Sequence, residues 1–200
     1  MRRFAFALAL LSATIADAEE PQAWSFAVSA YGYDVPDSDD FVNPGFTADR
    51  GRLHLEARYN YEALDTASVW GGANFSTGEK WLFDSTVMLG AVFGDFDGVA
   101  PGFRLSLTRS WFELTSEGEY YFDFHDHEEN YLYSWTEIGG YPTEWFRAGV
   151  ALQRTRAYAS DVEVERGVFV GFTYKSFDAA AYVYDPAGDP FYVLGLSYEF

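Results

Sequence analysis

The sequence predicts an all-β protein, an antiparallel up-and-down β-barrel of about 12 strands that crosses a membrane. Apolar and polar residues alternate along most of the 200-residue chain, which is the period of a strand with two unlike faces. Aromatic residues make up 20% of the chain although its formal net charge is −18. Beyond the first twenty residues no apolar run approaches the roughly 20 residues that a spanning helix needs.

The N-terminal segment has two arginines, a short apolar run over residues 4–15 and a small-residue A-D-A motif ending at Ala18. This order is typical of a secretory signal peptide, although a buried N-terminal helix is the alternative. We therefore expect residues 1–18 to be cleaved after Ala18 and residues 19–200 to form one barrel domain. The chain has no cysteine, so an exported protein of this sequence does not rely on disulfides.

The clearest strand is GRLHLEARYNYE, whose polar positions include His54, Glu56 and Arg58. The apolar set that alternates with them ends in Tyr59 and Tyr61. Such a strand suits lipid on one face and a wet lumen on the other. The same pattern predicts strands over residues 24–33, 40–48, 52–62, 67–77, 80–93, 102–109, 112–123, 130–139, 145–156, 165–174, 178–185 and 190–200.

The segment 40–48 is the weakest of these strands because it contains Pro44 and Gly45, which are rare in strand interiors. Barrels of this kind have even strand numbers, so losing this segment and merging one further hairpin would leave about ten strands. A secreted soluble barrel or sandwich would also show alternation. It would fill its core with the apolar set and expose the charged set, however, and the strand-long aromatic sets here are too extensive for one small core.

The polar phase of the strands predicts which side chains line the lumen. Carboxylates outnumber basic groups on this face, so the predicted interior is acidic. The predicted lumen-lining residues are His54, Glu56, Arg58, Asp84, Arg104, Glu113, Glu117, Glu119, Arg147 and Lys175.

The last strand, PFYVLGLSYEF, alternates to its end and carries Leu196, Tyr198 and Phe200 on its apolar face. Together with the signal peptide, this aromatic-x-Phe ending resembles the Gram-negative outer-membrane β-barrel proteins. The resemblance implies localisation in the outer membrane, contact with its lipid, and recognition of Leu196, Tyr198 and Phe200 by the barrel assembly machinery. Arg154 and Arg156 end an outward face, where they could bind lipopolysaccharide phosphates or simply extend to the interface.

Few residues suggest other chemistry. His125 and His127 lie in the acidic segment HDHEEN and are weak candidates for a metal site, against a solvated loop tip. His54 and Glu56 could pair as a general base, against a hydrogen-bonded network within the lumen. The sequence has no G-x-S-x-G nucleophile motif. It also has no phosphate-binding loop, and it predicts no cofactor. The negative charge repels phosphate, so nucleic acid is not an expected partner.

Three functions fit this pattern. The first is a small, cation-preferring, porin-like channel for ions or small solutes, because rings of carboxylates select cations. The second is a closed barrel with a structural or surface-interaction role. The third and least favoured is an outer-membrane hydrolase acting on lipid or peptide, because no nucleophile motif supports it. A barrel fold alone implies none of these activities.

Overall fold

A computed structural model describes residues 22–36, 39–157 and 163–200. Within these residues twelve antiparallel strands form one closed barrel, and each strand pairs with its neighbours in the chain while the first pairs with the last. The predicted strand count is confirmed, and the alternative of ten strands is wrong. The strands are β1 (Ser25–Asp34), β2 (Phe41–Arg50), β3 (Leu53–Tyr59), β4 (Thr66–Thr77), β5 (Leu82–Gly94), β6 (Gly98–Arg109), β7 (Phe112–Asp123), β8 (Tyr131–Thr143), β9 (Phe146–Ala157), β10 (Glu163–Tyr174), β11 (Phe177–Tyr184) and β12 (Phe191–Glu199).

The doubtful second strand is present, and the pairing shows how it accommodates its proline. Pro44 pairs with Ala30 of β1, whereas the ladder between β2 and β3 begins only at the pair Gly45–Arg58. Pro44 therefore lies just beyond the end of that second ladder. Its missing N–H costs no hydrogen bond there, which is the kind of position where a strand tolerates proline.

The barrel closes where β1 meets β12. Their register runs from the pair Ala27–Glu199 to the pair Asp34–Tyr192. At the end of this seam the backbone N–H of Phe26 donates to the carbonyl of Phe200 at 3.0 Å, and the N–H of Phe200 donates back at 2.8 Å. The two phenyl rings also stack with centroids 5.8 Å apart. No strand edge is left free along this seam.

The outer surface of the barrel is apolar. Val87 and Leu89 on β5 are 57% and 60% exposed, and the outward phase of the other strands is similar. An apolar surface this extensive is the kind that faces lipid. Other exposed outward residues are Val28, Val42, Phe46, Leu53, Leu55, Val69, Phe75, Val150, Val168, Val170, Phe172, Leu194 and Leu196. No helix in the described part of the chain is long and apolar enough to cross a membrane.

The two ends of the barrel differ. At one end, which we call the turn end, short connections join the strands at residues 51–52, 78–81, 110–111, 144–145 and 175–176. At the other, the loop end, described connections span residues 60–65, 95–97, 124–130 and 185–190, and β1 and β9 end and β2 and β10 begin at the same end. Four exposed tryptophans, Trp24, Trp81, Trp111 and Trp145, lie at the turn end. Tryptophan prefers the membrane–water interface, so these rings mark one such interface.

The opposite placement of the two sets of connections predicts opposite labelling from the two sides of a membrane. Outer-membrane barrels have short periplasmic turns and longer outer loops, so a cysteine replacing the exposed Asp189 at the loop end should react with an impermeant thiol reagent in whole cells. A cysteine replacing the exposed Glu79 at the turn end should react only after the membrane is permeabilised. Because the chain has no native cysteine, each label reports one site, and labelling of both sites in intact cells would contradict this arrangement.

Candidate functional site

The inner face of β3 carries a row of ionisable side chains. His54, Glu56 and Arg58 are only 3%, 6% and 6% exposed. The imidazole of His54 lies between two carboxylates, with Nδ1 2.8 Å from Asp49 Oδ1 and Nε2 3.1 Å from Glu56 Oε2. Both ring nitrogens are therefore engaged within the protein, as in a lumenal hydrogen-bonded network, and neither is free to act as a general base.

Arg58 is the centre of this network. Its guanidinium donates to Glu56 Oε1 at 2.8 Å and to Glu119 Oε2 at 2.9 Å. The same group lies 4.2 Å from the ring centroid of Tyr61 and 4.4 Å from that of Trp70. A buried guanidinium is stable only when it is paired, and aromatic faces add cation–π attraction. The arginine therefore has both kinds of partner.

Arg104 on β6 extends the network across the lumen. It donates to Glu56 Oε1 at 2.5 Å and to Glu117 Oε2 at 3.3 Å. The structure thus brings together three of the predicted lumenal carboxylates, Glu56, Glu117 and Glu119, around two guanidinium groups. Counted as formal charges, the cluster holds one more negative than positive group.

The loop after β3 folds into the barrel, which corrects the sequence-based interpretation of Tyr61. That residue was predicted to continue the outward apolar face of a strand over residues 52–62, but β3 ends at Tyr59 and Asn60 adopts a positive φ of 57°. This backbone turn reverses the alternation, so Tyr61 points inward. Asparagine tolerates a positive φ better than most residues, so Asn60 is a local signal that could have indicated the turn.

The hydroxyl of Tyr61 donates to Glu117 Oε1 at 2.6 Å, and its ring meets that of Tyr133 edge-on at 5.7 Å. Burial, followed by the nearby Glu117 carboxylate, holds the pKa of Tyr61 well above its usual range. The hydroxyl therefore stays protonated and keeps its role as a donor. In the same loop, burial raises the pKa of the Glu62 carboxyl, whose Oε1 accepts from Ser68 at 2.6 Å.

Two large cavities of the lumen share a residue of this loop, Tyr61, in their walls. The turn-side chamber has a volume of about 560 Å³, and the loop-side chamber has a volume of about 520 Å³. Three residues, Tyr33, Asn43 and Tyr61, line both cavities. We call these three residues the constriction, since they lie where the chambers adjoin.

The turn-side chamber contains carboxylates without basic partners. Asp84 and Glu137 line it, and Glu137 accepts a hydrogen bond from Tyr182 at 2.8 Å. Glu113 accepts from Tyr141 at 2.6 Å. Among the described residues no basic side chain forms a salt bridge with Asp84, Glu113 or Glu137. Arg147 instead holds Asp178 with two hydrogen bonds of 2.8 and 3.1 Å.

Aromatic side chains fill the rest of the interior, and the sequence-based list of lumen-lining residues omits them. One buried cluster includes Trp135, Phe169, Tyr182 and Tyr184, and a second surrounds Trp70. β4, β10 and β11 carry aromatic residues in both phases, whereas β8 carries them only in its inward phase, so alternation did not separate the inner rings from the lipid-facing set. Glycine makes room for the largest ring: a Cβ added at Gly90 would lie 2.5 Å from the Trp70 ring.

Lys175, which was predicted to line the lumen, does not do so. It lies in the turn after β10 with a positive φ of 56°, it is exposed, and its ammonium is 5.4 Å from the ring centroid of Tyr174. As at Tyr61, the alternation ends with the strand. The strand pattern was extended one residue too far.

The remaining candidate residues lie outside the lumen. Leu196, Tyr198 and Phe200 are exposed on the outward face of β12, and Arg154 is exposed on β9; the side chain of Arg156 lies outside the described residues. His125 is 4.0 Å from Asp123 and its side chain is 76% exposed, while His127 begins a short 3₁₀ turn. The described residues contain no group of three or more His, Cys, Asp or Glu arranged to hold a metal ion.

Comparison with known proteins identifies the fold. No protein-family model matches the sequence, and no curated protein matches it. The solved KdgM porin in complex with oligogalacturonate aligns with a TM-score of 0.59 at 11% identity, over 88% of this chain and 99% of that one. The KdgM porin alone gives a TM-score of 0.59 at 10% identity, over 87% and 99%. The barrel therefore has the fold of outer-membrane porins.

The network around Arg58 predicts a large loss of stability when this residue is made apolar. Replacing Arg58 by Met should lower the free energy of unfolding by about 3–5 kcal/mol, because it leaves buried carboxylates without their base. Urea titration of the protein refolded in lipid vesicles measures this loss. Arg52→Met is the matched control: its guanidinium is exposed at the turn end near Phe75, and the change should be within about 0.5 kcal/mol. Equal stability of the two variants would contradict the role given to Arg58.

Proposed function

We propose that this chain, which has the fold of outer-membrane porins, is a narrow outer-membrane channel that prefers cations. The observation that supports the proposal most directly is the pair of chambers that adjoin at the constriction and are lined by more carboxylates than guanidinium groups. A barrel of about twelve strands is wider than the eight-stranded case that side chains just fill. Space for a narrow water path therefore fits the strand count.

The charge distribution supports cations over anions. The guanidinium groups of Arg58 and Arg104 are already held by carboxylates, so neither is free to attract an anion. Asp84, Glu113 and Glu137 have no basic partner among the described residues, and charges interact more strongly along a narrow protein-lined path than in bulk water. KdgM was solved with oligogalacturonate, and the carboxylates of such a ligand would be repelled by this interior.

We also propose the orientation that the resemblance to outer-membrane barrels implies. The turn end with its four tryptophans faces the periplasm, and the loop end faces outward. The exposed Arg154 lies towards the loop end of β9, where its guanidinium would meet lipopolysaccharide phosphates. Leu196, Tyr198 and Phe200 would serve the assembly machinery from the outward face of β12.

A closed barrel with a structural or surface role is the second candidate, and the interior packing favours it. Tyr61 meets Tyr133 edge-on across the lumen, and aromatic clusters fill two of its walls. If these rings leave no continuous path, the chambers are separate pockets. A hydrolase is supported less, because both nitrogens of His54 are held by carboxylates and no nucleophile motif is present.

The unpaired carboxylates predict a change in ion selectivity. In planar bilayers with a salt gradient, the wild-type protein should show a reversal potential whose sign indicates that cations permeate better than anions. The double variant Asp84→Asn with Glu137→Gln should reduce that potential without breaking any salt bridge. Glu144→Gln, which removes one exposed carboxylate at the turn end, should leave the reversal potential close to that of the wild type. Anion preference in the wild-type protein would refute the proposal.

The constriction predicts a change in conductance that separates the two candidates. Tyr61→Ala removes a ring that lines both chambers, so single-channel conductance should increase. Tyr59→Ala removes the neighbouring tyrosine, which is 42% exposed on the outer face, and should leave conductance unchanged. If wild type and both variants pass no current, the closed barrel is the better description.

A further inference from the structure

The loop-side chamber has a chemical character of its own. Six of its lining residues are aromatic and three are glutamates. None of the described residues that line it is basic. Its volume of about 520 Å³ lies within the range of roughly 300–1,000 Å³ typical of small-molecule sites. The neighbouring turn-side chamber differs because Arg104 contributes to its wall.

The aromatic walls of the chamber are held in fixed positions by ring–ring contacts. Tyr33 stacks on Phe41 with centroids 4.7 Å apart and an interplanar angle of 6°. Phe96 lies 5.2 Å from Tyr121 and 6.4 Å from Tyr131. Rings that are already ordered lose little conformational entropy when a ligand packs against them. The walls are therefore preorganised for an apolar body.

The chamber contains buried acceptors that lack hydrogen-bond partners among the described residues. Asn43 Oδ1 and Glu62 Oε2 are buried and have no hydrogen-bond partner among the described residues, and both residues line the chamber. Two of the three amide side chains that line the chamber already donate: Asn60 Nδ2 to the carbonyl of Val42 at 3.2 Å, and Gln153 Nε2 to the hydroxyl of Tyr133 at 3.4 Å. A ligand that brings positive charge or N–H donors fits this pattern.

We propose that the loop-side chamber binds a small organic cation, an alkylammonium compound with an apolar body. The aromatic faces attract a cation through their quadrupoles, and Glu128 and Glu129 place carboxylates along the same wall. An anion would find no basic group among the described residues of this lining. The proposal deepens the channel function, on which it rests, by naming the substrate class.

The test uses choline as the probe and its uncharged isostere 3,3-dimethylbutan-1-ol as the comparison. Isothermal titration calorimetry of the full protein refolded in detergent micelles should show saturable binding of choline. The isostere should bind at least about tenfold more weakly, since it keeps the shape and loses the cation–π attraction. Equal affinity for the two compounds, or saturable binding of neither, would overturn the proposal.

A matched pair of phenylalanines locates the site. Phe96→Leu removes a ring from the chamber and should weaken choline binding by about three- to tenfold. Phe93→Leu, three residues earlier, changes a side chain that is 47% exposed on the outer face and should leave the affinity unchanged. Equal affinity of both variants and the wild type would overturn the assignment to this chamber.

A second variant, at the rim of the chamber, tests the site independently of whether Phe96→Leu folds correctly. Glu128 and Glu129 lie in an exposed 3₁₀ turn, so Glu128→Gln with Glu129→Gln should fold normally, weaken choline binding and reduce its dependence on salt concentration. Unchanged affinity and salt dependence would count against the proposal.

Choline binding by the protein in micelles and its conductance in bilayers together distinguish the proposal for the chamber from the proposal for the channel. Choline binding by a protein that passes no current would support the chamber and refute the channel. A cation-selective current without choline binding would support the channel and overturn the chamber.

Discussion

Closure of the backbone hydrogen-bond ladder is the constraint on which the rest of this structure depends. Lipid offers no partner for an unpaired N–H or C=O group, so a sheet in a membrane must leave no edge. The reciprocal hydrogen bonds between Phe26 and Phe200 complete that closure at the seam. Once the ladder is closed, each strand residue points either to lipid or to the lumen. Apolar and polar residues therefore alternate along the strands with a period of two. Pro44 is tolerated because the β2–β3 ladder starts one residue later, at Gly45.

The lumen shows how charge is accommodated inside such a closed ladder. Arg58 cannot be buried without partners, and carboxylates from β3 and β7 together with two aromatic faces supply them. The same groups narrow the passage, because the loop that carries Tyr61 folds onto Arg58 and Glu117. The side chains that pair the buried charges are thus also the ones that hold the narrow part of the lumen in place. The carboxylates left without a base give the interior its electrostatic sign.

Much of this fold could be predicted from alternation alone, because lipid imposes the pattern on nearly every strand. The count of twelve strands and the inner position of Glu56, Glu117 and Glu119 follow from it. KdgM shares the fold at 11% identity, so the pattern and not the particular residues specifies the barrel. The prediction fails where the ladder stops. Tyr61 and Lys175 lie one or two residues beyond a strand end, next to or at a positive φ, where alternation no longer applies. The inner clusters around Trp70 and Trp135 were concealed because β4 carries aromatic residues in both phases and β8 carries them only on its inner face, where they resemble a lipid-facing set.

The tryptophans at the turn end have a consequence for how the barrel adapts to bilayers of different thickness. All six tryptophans of the chain are accounted for: two are buried inside, and the four exposed ones lie at that single end. Interfacial tryptophans fix vertical position, and hydrophobic mismatch costs a fraction of a kcal/mol per ångström. A thinner or thicker membrane would therefore be accommodated mainly in the opposite leaflet, so that the depth of the loop-side chamber relative to the lipid headgroups varies with lipid composition while the turn end stays in place.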